Sequence, residues 1–174
     1  RRQRQLCIRG SSWAACGTKC EREHNVVNSL FIQPEELERY NFERYERYAQ
    51  IEANEVMYDE YKMEDAEICI VAYGVAARVS QNAIDKAREQ GIKVGMIRPI
   101  TLYPFPKASL AGLDYDKVKG IIDIEMTIPA QMRDDIELQV KGRCPVHEYG
   151  RSGGMLLDDE GVYNAISEIV KGGE

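Results

Sequence analysis

Glu67-Ile68-Cys69-Ile70-Val71-Ala72-Tyr73-Gly74 is the stretch on which the fold turns. From Ile68 to Tyr73 the side chains are almost continuously apolar, without alternation. A strand apolar on both faces belongs at the centre of a parallel sheet, with helices above and below it. Gly74 ends the run, and Ala76, Val79, Ala83 and Ala87 then recur at steps of three and four, the period of a helix. Their small side chains let that helix approach a sheet closely, and Gly91 is expected to stop it.

The same unit recurs toward the C-terminus. Ile92 to Ile97 reads as a second strand, followed by a loop held by Pro99, Pro104 and Pro106 and a short helix around Leu110 and Leu113. Val118 to Glu125 is a third strand, and 130–140 a helix with Met132, Ile136 and Val140 on one face. Residues 145–149 form a short strand. Asp158 or Asp159 then caps a last helix with the stripe Val162, Ala165, Ile166, Ile169 and Val170. Strand followed by helix, repeated in this way, predicts an α/β fold: a three-layer α/β/α arrangement around a mostly parallel open sheet with right-handed crossovers.

Upstream of Glu67 the pattern differs. Residues 25–33 read as a short strand or extended arm, and Pro34-Glu35-Glu36 as a helix start, with acids at the positive end of the dipole. Over 35–62 Leu37, Tyr40, Tyr45, Tyr48, Ile51 and Tyr58 fall at helical spacing, a stripe suited either to a subunit contact or to packing on its own domain. The expected division is an arm over 1–34 that ends a preceding domain, an acidic linker helix over 35–66, and the α/β domain over 67–174. Charge follows this division: residues 1–24 carry a net +4 and residues 35–67 a net −8. Such asymmetry marks either surfaces that meet a partner or two solvated faces.

Bulk properties narrow the function. The 174 residues are 44% hydrophobic and 30% charged, enough for a core, and the net charge of −6 argues against nucleic-acid binding. No stretch has the length of uncharged apolar sequence that a membrane span requires. The chain opens Arg1-Arg2-Gln3-Arg4-Gln5 without Met or an apolar leader, so a fragment or processed product located in the cytoplasm is expected. Five cysteines, an odd number, fit reduced thiols.

In a parallel sheet the C-terminal strand ends share one edge, where ligands usually sit. The candidates there are Gly74 and Arg78, Arg98, Glu125, and the turn Arg151-Ser152-Gly153-Gly154. Three arginines and a glycine turn suit an anion or a partner's carboxylates, although neither dinucleotide-binding nor phosphate-loop spacing is present. The plainer reading gives the glycines to turns and the arginines to local pairs. Glu125, closing an apolar strand, is expected to be partly buried with a raised pKa; an acid–base role competes with a structural one. Cys16, Cys20 and His24, with Cys7 upstream, could align as soft metal ligands on a helix. Their spacing is wider than zinc pairs normally use.

Several pieces, in order, carry a resemblance. They are Ala72-Tyr73-Gly74 with Ala77-Arg78; Gly91 to Gly95 with Ile97-Arg98-Pro99-Ile100-Thr101-Leu102; Pro104-Phe105-Pro106; Glu125-Met126; Gln131-Met132; and Gly150 to Gly154. Together they resemble the C-terminal domain of the α subunit of 2-oxoacid:ferredoxin oxidoreductases. The branched-chain type, acting on 3-methyl-2-oxobutanoate (2-ketoisovalerate), is the nearest match, with the 2-oxoglutarate type close behind. Asn25 to Leu30 and the acidic helix match the segment before that domain. Ala130, preceded by Pro129, stands where members often have Gly, and the region before Asn25 matches poorly.

The resemblance implies a domain similar to the C-terminal domain of transketolase-like enzymes, which mainly supports assembly. It implies a complex that decarboxylates a 2-oxoacid on thiamine diphosphate with Mg, passes electrons through iron–sulfur clusters to ferredoxin, and forms an acyl-CoA. The partners implied are β and γ subunits, δ where there is one, and a homodimer contact. This chain has no Gly-Asp-Gly motif, no ferredoxin-type cysteine run and no recognisable CoA site. No catalytic or cofactor-binding residue is therefore carried over. The alternative is a stand-alone anion- or nucleotide-binding α/β domain.

Overall fold

A computed structural model describes residues 29–172. The chain divides into two compact units, 1–44 and 45–174. Helix α1 (Pro34–Asn54) runs through the division, and none of its residues is buried. In the first unit Phe31 meets Tyr40 at 4.4 Å between ring centres, and Arg39 pairs with Glu43 at 2.8 Å, one turn on.

The second unit continues with β1 (Tyr58–Tyr61), β2 (Ile68–Ala72), α2 (Gly74–Glu89), β3 (Val94–Pro99), α3 (Lys107–Ala111), β4 (Gly120–Glu125), α4 (Arg133–Val140), β5 (Val146–Gly150) and α5 (Asp159–Gly172). The sheet order is β1-β3-β2-β4-β5; β2 to β5 are parallel, and β1 runs antiparallel to β3. β2 and β4 are buried along their whole length, as expected for central strands. Alternate residues point to opposite faces. Ile68, Ile70 and Ala72 of β2, with Ile122 and Ile124 of β4, pack under α2 and α5. Cys69, Val71 and Ile121 join Leu110 of α3 and Ile136 and Val140 of α4 on the other face. These two cores make the three-layer α/β/α architecture.

The small residues of α2 act as the sequence implied. Ala76, Ala83 and Ala87 are buried against the sheet, and Gly91, at φ 83°, closes the helix. The Ile92 N–H reaches back to the Ala87 carbonyl at 3.0 Å, satisfying an end group that would otherwise lack a partner.

One element departs from the sequence reading. The helix expected over 35–66 ends at Asn54, and Tyr58–Tyr61 is an edge strand instead. Tyr58 continued the helical stripe by spacing, but it pairs with Pro99 across the sheet edge. Asp59 and Glu60 keep that edge charged, as exposed edge strands commonly are. The C-terminal part of α1 is held within the second unit by the 100–107 segment. Glu52 accepts from the Tyr103 hydroxyl at 3.1 Å, and Tyr48 meets the Tyr103 ring edge-on.

Candidate functional site

The parallel strands bring every candidate from the sequence to one edge. Gly74 and Arg78 begin α2, Arg98 lies near the end of β3, Glu125 ends β4, and Arg151 to Gly154 follow β5. The three arginines do not act together. Arg98 is engaged by Asp59 of β1, at 3.6 Å, a pairing that depends on the strand the sequence reading missed. Arg78 is exposed on α2. Arg151 donates its backbone N–H to the Glu125 carbonyl at 3.2 Å, and its Nε is buried with no hydrogen-bond partner among the described residues. Gly153 and Gly154 have φ of 64° and 87°, so the turn after β5 needs residues that tolerate the left-handed region.

The sheet order reverses between β2 and β4, and the crevice at such a reversal is where open α/β sheets take ligands. Asp123 and Glu125 are 0% and 1% exposed. Glu125 Oε1 accepts the Met132 N–H at 2.6 Å, and Oε2 accepts the Thr127 hydroxyl at 2.9 Å. Both Asp123 oxygens are buried with no hydrogen-bond donor among the described residues. Burial first, then the adjoining Glu125, pushes the Asp123 carboxyl up to about 8. Burial, then Glu125 and Asp123, also raises the Tyr73 phenol above its ordinary range. Glu125 is legible in the sequence as a strand-ending acid; Asp123 is not among the residues the strand ends single out. The available signal was a second acid on the same face of an otherwise apolar strand.

The loops after β4 and β5 lean on one another. A Cβ on Gly150 would collide with the Thr127 carbonyl oxygen and stand 3.1 Å from Ile128 Cγ1. Gly150→Ala is therefore expected to destabilise by about 1–3 kcal/mol, read as a lower urea midpoint. An unchanged midpoint would count against this close approach.

At the opposite edge lies a cavity of about 640 Å³ lined by Glu67, Lys93, Lys119, His147 and Ile169, among others. Glu67 bridges both lysines at 3.0 Å. Those two lysines hold the Glu67 carboxyl below its ordinary range. Cys69 is buried, which pushes its thiol up to about 12 and leaves it unreactive. Among the described residues no three His, Cys, Asp or Glu side chains converge on a common point. Cys7, Cys16, Cys20 and His24 lie outside the described residues. Among the described residues, no helix is long and apolar enough to cross a membrane.

Comparison with known proteins fits this picture. The ketoisovalerate oxidoreductase subunit VorB of Methanothermobacter marburgensis is 45% identical over 91% of this chain, which covers 44% of that subunit. The 2-oxoglutarate synthase subunit KorA of Methanocaldococcus jannaschii is 36% identical over 59% of this chain, covering 27% of that subunit. The chain thus spans less than half the length of either relative. Among solved structures, the 2-oxoglutarate:ferredoxin oxidoreductase of Magnetococcus marinus superposes on 89% of this chain with a TM-score of 0.62. Identity there is 20%, and 28% of that chain is covered. A split-gene transketolase superposes on 66% of this chain, and 41% of its own, with a TM-score of 0.55 at 14% identity. These two likenesses concern the fold. The family model for the pyruvate:ferredoxin oxidoreductase core domain II matches residues 66–162, more than half of the sequence. By that match, this chain belongs to the pyruvate:ferredoxin oxidoreductase core domain II family.

Proposed function

We propose that this chain is the C-terminal portion of the α subunit of a 2-oxoacid:ferredoxin oxidoreductase of the ketoisovalerate type, and that it acts in subunit assembly. The oxidoreductase reading is carried by the 45% identity to a ketoisovalerate oxidoreductase subunit over 91% of the chain. The assembly role is supported by the strand edge. Asp123 and Glu125 of β4 are buried there, while the residues that follow the strands include large exposed apolar side chains. Val75 follows β2, Ile100 and Leu102 follow β3, Ile128 follows β4, and Met155 and Leu156 follow β5; Leu156 is 72% exposed. Apolar area presented by successive loops is characteristic of a surface that another polypeptide covers.

In this reading the complex converts a branched-chain 2-oxoacid to an acyl-CoA in the cytoplasm and reduces ferredoxin. Thiamine diphosphate with Mg, the clusters and CoA are held outside the residues described, and β and γ subunits, with δ where there is one, complete the assembly. Thiamine diphosphate would supply the electron sink for decarboxylation. The test is 3-methyl-2-oxobutanoate- and CoA-dependent reduction of ferredoxin, assayed on the chain alone and on the assembled complex. Turnover by the complex and none by the chain is expected. Turnover by the isolated chain would overturn the assembly role.

A further inference from the structure

Asp123 and Glu125 stand two positions apart on β4, so their side chains leave the same face of the sheet. They are used differently. Glu125 accepts from the Met132 N–H and the Thr127 hydroxyl, the arrangement a carboxylate makes. Met132 caps α4, so the Glu125 charge also meets the positive end of that helix. Glu125 thereby ties down both ends of the segment between β4 and α4.

Asp123 has no donor of its own. Two ionised carboxylates side by side in a site closed to water would be strongly unfavourable. A protonated Asp123 removes one charge and gains an O–H directed to its neighbour. We propose that Asp123 and Glu125 hold one proton between them, carried on Asp123, and that this proton latches the 126–132 loop to the end of β4.

The groups facing the pair act in this direction. Tyr73 approaches from the end of β2 as a neutral phenol, and Glu148 on β5 adds negative charge. Arg133, at the start of α4, opposes them, but it is shared between Glu137 at 2.9 Å and Glu148 at 3.6 Å. Arg151 lends the pair only its backbone N–H, to the Glu125 carbonyl.

Opening the loop admits water to Asp123, which then ionises near neutral pH as an ordinary aspartate does. Opening therefore releases a proton. From the ordinary aspartate range up to the point where Asp123 itself titrates, each unit of pH favours the open loop by about tenfold; beyond that point the dependence levels off. The latch is tightest in acid and loosest in alkali. It controls the loop that carries Ile128 at the exposed edge, and it holds whether or not the oxidoreductase assignment does.

The test is hydrogen exchange on the full chain from about pH 5 to about pH 9, corrected for the intrinsic rate, comparing the Met132 amide with core amides such as Ile122. Met132 is expected to stay less protected than the core at every pH, because its opening is smaller than global unfolding, and its protection to fall by up to about tenfold per pH unit and then level. In Asp123→Asn, whose amide donates without titrating, Met132 protection is expected to lose that dependence. Glu125→Gln removes the neighbouring charge but leaves Asp123 buried, so the dependence is expected to weaken. A Met132 amide as strongly protected as the core amides in the wild-type chain would overturn the latch, as would an unchanged slope in Asp123→Asn. The wild-type comparison decides even if a variant fails to fold.

Discussion

Asp123→Asn is expected to flatten the pH dependence of stability, widening its advantage over wild type by roughly 3–6 kcal/mol from about pH 4 to about pH 9. The folded chain holds the Asp123 carboxyl up at about 8, far above the ordinary 3.8. Between those values the folded state keeps a proton that the unfolded state has lost. The stability from neutral Asp123 is therefore complete below the ordinary value, declines as pH rises, and is gone above about 8. Asparagine never ionises, keeps the shape, and can donate to Glu125. Urea unfolding at several pH values reads the difference directly. Parallel slopes for the two proteins would mean that Asp123 is ionised in the folded chain.

Ile70→Ala is expected to cost about 2–5 kcal/mol, a large part of the stability of a domain this size. Ile70 lies in the middle of β2, level with Met96 on β3 and Ile122 on β4, and is fully buried under α2 and α5. Its truncation removes apolar contact and leaves a hole that strands on both sides keep from closing. Leu138, 66% exposed on α4, is the matching control, and its truncation should change stability by less than about 0.5 kcal/mol. Equal losses at the two positions would contradict the layered packing.

Much of this was legible because burial leaves periodic traces. The unbroken apolar run of β2, the alanine stripe of α2 and the apolar stripe of α5 each record two-sided or one-sided packing, and each element formed where its pattern lay. β1 left no such trace. It is short, exposed and charged, and Tyr58 happened to extend the helical stripe of α1. The edge residues were found because parallel topology dictates where strands end. Their partners were not, since Arg98 depends on β1 and Arg151 on the path of a turn. Asp123 was hidden for a different reason: two acids on one face of an apolar strand gain their meaning only when both are known to be buried.

The most direct measurement is co-purification of this chain with the thiamine-binding subunit from the same source, for wild type and for Ile128→Asp/Leu156→Asp. Both positions are exposed in the isolated chain, at 64% and 72%, so the substitutions should leave its folding intact. The wild-type chain is expected to elute with the thiamine-binding subunit as one complex, and the substituted chain to elute folded and alone. A wild-type chain that stays unassociated in the presence of that subunit would contradict the assignment of this edge to assembly.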